Sequence, residues 1–174
     1  VARLAANPHP WYTESDGLYP MATPKFAILD AYSLIYRAFF ALPPLTNKEG
    51  EVTNAAYGFT TMLFKLLDEE KPDCVMVAFD MPAATFRHQA YDGYKAQRKP
   101  MPDAMRPQVP MVREILDAMH IPIIGIPGFE ADDVIGTAAR IAAAEGADVV
   151  IVTADRDAFQ LVDDHVRVLT SKRG

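Results

Sequence analysis

The chain carries a single cysteine in 174 residues, so no internal disulfide can staple it, which fits a reducing, cytoplasmic setting. Cys74 sits in the apolar run Cys74–Phe79 and is expected to be a small buried core residue. No apolar run approaches the roughly 20 residues that cross a bilayer. The N-terminus shows no basic start followed by an apolar stretch, so neither a membrane span nor a secretion signal is read. A glycine-rich phosphate loop, paired cysteines and an HExxH motif are also missing. Ser33 has no nucleophile-elbow context, and His9, His88, His120 and His165 show no ligand spacing. There is no internal repeat and no low-complexity tract. These absences set aside zinc, P-loop and serine-hydrolase chemistry.

What remains has the balance of one soluble globular domain, 50% apolar and 23% charged. Residues Val1–Pro20 are polar, proline-containing and aperiodic, and Met21 stands just before the first apolar strand. The first twenty residues are therefore expected to be a disordered or extraneous tail, and the fold is expected within 21–174. The net charge of −6 argues at first against a nucleic-acid partner. Its distribution matters more. From Thr85 to Arg106 the chain carries Arg87, Lys95, Arg98, Lys99 and Arg106 against only Asp92 and Asp103.

Four short, continuous apolar runs read as buried parallel strands: Phe26–Leu29, Cys74–Phe79, Ile121–Ile126 and Asp148–Val152, with Val166–Leu169 as a fifth. Helical spacing separates them. Asn54–Leu67 puts Ala56, Phe59, Leu63 and Leu66 on one face, with Thr53 or Asn54 as N-cap. Pro107–Met119 repeats Val109, Val112, Leu116 and Met119; Glu130–Ala144 repeats Ala131, Val134, Ala138 and Ile141, with Gly146 as its stop. The stretch Lys99–Pro110, with four prolines, reads as an extended connection. Alternating strands and helices predict an α/β fold with a doubly wound, mostly parallel β-sheet flanked by helices.

The acids fall where these strands end. Asp30 and Asp80 immediately follow two strands, Glu130, Asp132 and Asp133 open the helix after a third, and Asp155 and Asp157 follow a fourth. In an open parallel sheet those ends share one edge, where ligands bind. Seven carboxylates brought together repel unless a cation neutralises them. Oxygen donors without nearby Cys or His select Mg²⁺ or Mn²⁺ over zinc. Each acid also has a plainer reading. Asp30 and Asp80 suit turns or caps, Glu130, Asp132 and Asp133 complement a helix dipole, and Asp155 can cap Arg156–Leu161. Four strand ends agreeing favours the metal site. The segments Thr85–His88 and Tyr91–Arg98 interleave aromatics with positive charge, which suits stacking on bases beside phosphate contacts. An amphipathic surface segment would look the same.

Several blocks resemble the polymerase I 5′-nuclease family. They are Leu29-Asp30-Ala31-Tyr32-Ser33-Leu34-Ile35-Tyr36-Arg37-Ala38, Val77-Ala78-Phe79-Asp80, Thr85-Phe86-Arg87-His88 and Tyr94-Lys95-Ala96-Gln97-Arg98, then Gly128-Phe129-Glu130-Ala131-Asp132-Asp133 and Thr153-Ala154-Asp155-Arg156-Asp157-Ala158-Phe159-Gln160-Leu161. They occur in the family's order across Lys25–Gly174. The resemblance implies a PIN-like, resolvase-like domain acting as a metal-dependent 5′-3′ exonuclease or 5′-flap endonuclease in replication and repair. Its substrates would be DNA with a 5′ flap, nick or RNA primer. A polymerase domain, on the same or a separate chain, is the implied partner, and a bacterial cytoplasm at the nucleoid the implied location.

By the same resemblance Asp30, Asp80, Asp132 and Asp133 would hold a first Mg²⁺ or Mn²⁺, with Glu130, Asp155 and Asp157 completing the site. Lys95 and Arg98 would be the catalytic residues at the scissile phosphate, and Tyr36, Arg37, Arg87 and Tyr94 would join them on the DNA. Family domains continue into a helical DNA-binding region that supplies further aspartates. This sequence lacks it, so the second metal is expected to be incompletely held and activity to be low. Two other readings stand beside this one: a PIN-type ribonuclease, and a catalytically inactive DNA-binding or interaction fragment.

Overall fold

A computed structural model describes residues 23–83, 85–91 and 99–170. The expected tail lies outside the described residues. Five strands, β1 (Lys25–Asp30), β2 (Cys74–Ala78), β3 (Ile123–Ile124), β4 (Asp148–Val152) and β5 (Val166–Leu169), form one sheet in the order β3-β2-β1-β4-β5. Every pairing in it is parallel. The helices are α1 (Ala31–Ala41), α2 (Asn54–Glu70), α3 (Phe86–Ala90), α4 (Gln108–Ala118) and α5 (Ala131–Ala144), followed by a 3₁₀ turn at Arg156–Leu161.

Strand side chains alternate between two layers. Ala27, Leu29, Val77 and Phe79 pack under α1, α2 and α4, with Phe59, Leu63, Val112 and Leu116 filling that side. Ile28, Met76, Ala78, Val149 and Ile151 face the other way against Ala131, Val134, Ile135 and Ala139 of α5. Both faces are covered, which is why the strands read as continuous apolar runs. The strand order reverses between β1 and β4, and this is the switch point where open α/β sheets form a crevice.

The differences from expectation have local causes. Only Ile123 and Ile124 of the run Ile121–Ile126 join the sheet. Pro122 and Pro127 bracket this edge strand and cannot donate to a ladder. A Cβ on Gly125 would stand 2.9 Å from the Phe79 carbonyl oxygen and 2.8 Å from Met81 Sδ, so that chain approach needs glycine. Cys74 is exposed, not buried, because it opens β2 at the solvent edge. In α5 Ile141 points outward, and the buried stripe runs through Ala131, Val134, Ile135 and Ala139. The proline-rich connection turns at 103–107 and is already helical from Gln108, with Pro110 in the first turn, where proline is tolerated. Helices α1 and α3 go beyond what the periodicity had suggested.

The start of α2 is capped from a distance. Thr53, at the N-cap, makes no side-chain cap bond, and the Asn54 side chain turns instead to the Phe39 and Leu42 carbonyls at the end of α1 (3.0 and 3.3 Å). Gln108, fully buried, accepts from the Ala55 and Ala56 N–H groups (2.7 and 3.1 Å) and donates to Asn54 Oδ1 and the Ala104 carbonyl. One side chain of α4 thus fastens the α1–α2 corner. Leaving a buried donor unpaired costs about 1–3 kcal/mol. Gln108→Leu, which strips the acceptor from two donors, is expected to lower stability by roughly 2–5 kcal/mol in urea unfolding. An unchanged midpoint would mean that another group serves the start of α2.

Candidate metal centre

The carboxylates meet at the C-terminal edge of the sheet, and each is also tied to a helix start. Asp30 ends β1 and caps α1, accepting from Ser33 N–H at 3.1 Å. Asp80, just beyond β2, accepts from Ala131 N–H, the first residue of α5, at 2.7 Å. Asp133 accepts from Glu130 N–H at 3.0 Å in the first turn of α5. Asp155 caps the 3₁₀ turn by accepting from Asp157 N–H at 2.9 Å. The capping reading and the shared-edge reading both hold, because in this topology a strand end is a helix start. Exposed N–H groups and the helix dipole partly offset the negative charge there.

Five of the seven acids, Asp30, Asp80, Glu130, Asp132 and Asp155, line one cleft of about 1850 Å³. Asp133 and Asp157 are not among its lining residues. Asp133 forms a two-pronged pair with the Arg87 guanidinium (2.7 and 2.8 Å), which also lies 3.5 Å from Glu130 and 4.5 Å from the centre of the Phe86 ring. Arg87, expected on the DNA, thus stands as a partner of the acids that open α5. Tyr36 and Arg37 line the cleft beside Phe40 and Tyr57, which are 71% and 59% exposed. Arg156 and Lys99 line it too, cations that sequence reasoning had not singled out for the site. Tyr94, Lys95 and Arg98 lie outside the described residues.

Two side chains missed in the sequence support the acids: Ser33, which lines the cleft, and Thr153, buried behind it. Thr153 Oγ1 donates to Asp30 Oδ2 at 2.9 Å and accepts from Asp155 N–H at 3.0 Å, while Ser33 Oγ accepts from Ala154 N–H at 2.7 Å. Thr153 belongs to the block that carries Asp155, but only strand order brings it to Asp30. The opposite edge of the sheet is different. There Glu70 pairs with Lys25 and Arg167, and its carboxyl is held below the usual range by the Arg167 hydrogen bond.

Asp30 is 6% exposed. Burial is the main reason its pKa is pushed up to about 6, with the Asp132 and Asp80 charges adding to it against the Ser33 and Thr153 hydrogen bonds. Among the described residues, no three Asp, Glu, His or Cys side chains are set to hold a metal ion together. The donor chemistry nevertheless fits a hard divalent cation. The acids lining the cleft offer oxygen only, two of them, Asp30 and Glu130, are buried, and Asp30 carries a burial cost that a cation would remove.

An open parallel sheet with an acidic cleft at its switch point defines an α/β domain of the kind that binds ligands at its strand ends. Residues 25–174 match the family of the 5′-3′ exonuclease, N-terminal resolvase-like domain, and the chain belongs to that family. It is 52% identical over 144 residues to DNA polymerase I of Caldicellulosiruptor bescii, covering 83% of this chain and 17% of the relative. It is 46% identical over 142 residues to a 5′-3′ exonuclease of Aquifex aeolicus, covering 82% of this chain and 49% of that protein. The chain thus spans about a sixth of the first and half of the second. Among solved structures, the T5 5′-exonuclease with bound zinc superposes with a TM-score of 0.61 at 20% identity, covering 84% of this chain and 55% of the other. A T5 flap endonuclease in complex with DNA and metal ions gives 0.59 at 19% identity over the same share of this chain and 54% of its own. These likenesses show the fold.

The raised Asp30 pKa has a signed consequence. The folded metal-free protein takes up this proton more readily than the unfolded chain, so stability falls as pH rises from about 4 to about 6. The shift is worth on the order of 2–3 kcal/mol. Asp30→Asn should flatten that part of the pH–stability curve and leave the metal-free protein firmer above pH 6. Thermal melts of both proteins in EDTA from pH 4 to 8 check this, and parallel curves would contradict it.

Proposed function

We propose that the chain is the metal-binding part of a 5′ nuclease that hydrolyses phosphodiesters in DNA bearing a 5′ flap, nick or RNA primer. The observation carrying this reading is the convergence of five carboxylates from four strand–helix junctions on one cleft whose rim holds cations and exposed aromatics. Family membership supports it. When bound, divalent cations polarise the phosphodiester and lower the pKa of a water molecule. Asp30, Asp80, Glu130, Asp132 and Asp155 would hold them from the cleft, and Asp133 and Asp157 would act from beside it. A second cation would be held less completely by these residues.

Arg37, Arg156 and Lys99 would meet phosphates across the cleft, offsetting the acidic floor. Tyr36 and Phe40, with ring centres 6.3 Å apart, would offer stacking surfaces to unpaired bases. The roles of Lys95 and Arg98, offsetting charge on the scissile phosphate, rest on the family resemblance, and so do Tyr94 and Arg87 as DNA contacts. A polymerase domain is the proposed partner, because the relatives include DNA polymerase I, and the bacterial cytoplasm is the proposed location.

Two measurements bear on this reading. Millimolar Mn²⁺ should raise the melting temperature above that in EDTA, and Asp80→Asn or Asp155→Asn should abolish the rise without loosening the metal-free fold. A large loss of metal-free stability would mark these acids as caps alone. In a 5′-flap cleavage assay with Mn²⁺, the 174-residue chain is expected to cut weakly. A longer protein spanning the full length of the exonuclease relative should cut robustly, and its Lys95→Ala variant should lose most activity. Efficient cutting of linear RNA instead would favour a ribonuclease, and binding without cutting by the longer protein an inactive module.

A further inference from the structure

Two hydroxyl groups stand between the ends of β1 and β4. Leu29 pairs with Val152, so Asp30 and Thr153 follow side by side at the switch point. Thr153 is 2% exposed, and its Oγ1 lies within hydrogen-bond distance of Asp30 Oδ2 (2.9 Å), Ser33 Oγ (3.1 Å) and Asp155 N (3.0 Å). A threonine hydroxyl has one hydrogen to give and lone pairs to accept. An ionised carboxylate can only accept, so the Thr153 hydrogen goes to Asp30. Ser33 Oγ already accepts from Ala154 N–H at 2.7 Å, and its own hydrogen is then directed at Thr153 Oγ1. The bonds form one directed chain, from Ala154 N–H through Ser33 and Thr153 to Asp30. Each donor in such a chain is polarised by the one before it.

We propose that Thr153, supported by Ser33, is a positioning residue that fixes the Asp30 carboxylate and the Asp155 loop to one common mount. The inference rests on the metal-site reading above. Asp30 arrives from β1 and Asp155 from beyond β4, 125 positions apart in the chain, and one hydroxyl bonds to both. Ser33 N–H holds the other oxygen, Asp30 Oδ1. Both oxygens are therefore tethered from the protein side, each with lone-pair capacity left for the cleft. A valine at 153 would keep the shape and β-branching but leave Asp30 Oδ2 and Asp155 N–H without this partner. A serine would keep the hydroxyl. Partners that orient metal ligands in this way typically contribute 10–100-fold to metal affinity.

The test is Mn²⁺ affinity, measured by calorimetry on the 174-residue chain, beside amide hydrogen exchange without metal. Thr153→Val is expected to weaken Mn²⁺ binding about tenfold or more and to release protection of the Asp155 amide. Thr153→Ser should stay near wild type on both readouts, and Ser33→Ala should show a smaller loss. The core variant Leu116→Ala should lower stability without moving Mn²⁺ affinity, which separates positioning from general loosening. Wild-type affinity and Asp155 protection in Thr153→Val would overturn this inference while leaving the metal site standing. No Mn²⁺ binding by the wild type would overturn the functional reading and this inference with it. Should Thr153→Val fail to fold, Ser33→Ala decides, and unchanged affinity in that variant counts against the mount.

Discussion

Carboxylates can crowd one edge of this sheet because that edge is also where helices begin. Parallel strands joined by covering helices end together, and the chain then turns into N–H groups that no helical carbonyl satisfies. Asp30, Asp80, Asp133 and Asp155 each accept one of those donors. The stabilisation is local and partial, since the positive end of a helix amounts to about half a charge. Carboxylates anchored this way keep a defined direction, and the helix starts offset only part of their charge, Asp133 being answered further by Arg87. At the opposite edge Glu70 is answered by two full cations.

The rest of the scaffold serves that arrangement. The cleft has α1 and α2 as one wall, and their separation is set by small residues: a Cβ on Gly58 would stand 2.8 Å from the Ala38 Cβ. The corner between the two helices is fixed by Asn54 and Gln108. The aromatic rim of Tyr36, Phe40 and Tyr57 is therefore carried on a rigid helix pair, while the acids are carried on strand ends. On the far side, Arg87 draws Asp133 out of the cleft lining and onto α3. Of the acids at the start of α5, Asp133 is held by this two-pronged pair, while Glu130 and Asp132 line the cleft, Glu130 also lying 3.5 Å from Arg87.

Much of this was legible in order along the chain. Four strands were marked by short apolar runs, and the four residues expected on the inner face of α2, Ala56, Phe59, Leu63 and Leu66, are all buried, joined there by Asn54, Ala55 and Gly58. The acids were noticed because each came directly after a strand or at a helix start, a purely local signal. Helix α1 was equally legible but passed over: Asp30 precedes Ala31, Leu34, Ile35 and Ala38, a capped helical stripe. The misread positions are those where the neighbour decides. Ile141 has the spacing of a core residue but faces outward, while Ala138 and Ala142 of the same helix pack on the sheet, and Cys74 sits in an apolar run whose first residue the helices do not cover.

By itself, then, the sequence determined where the strands run, three of the helices, and that acids would stand at strand–helix junctions, because periodicity and capping are set by residues within a turn or two of each other. Only the tertiary structure decided which acid faces which partner. Thr153 meets Asp30 across 123 positions, Gln108 caps α2 from 53 away, and Arg87 takes Asp133 from 46 away. The first of those pairings depends on β4 lying beside β1, the second on α4 packing against α2, and the third on α3 meeting the start of α5; these arrangements are fixed by how the apolar layers pack, not by any spacing along the chain.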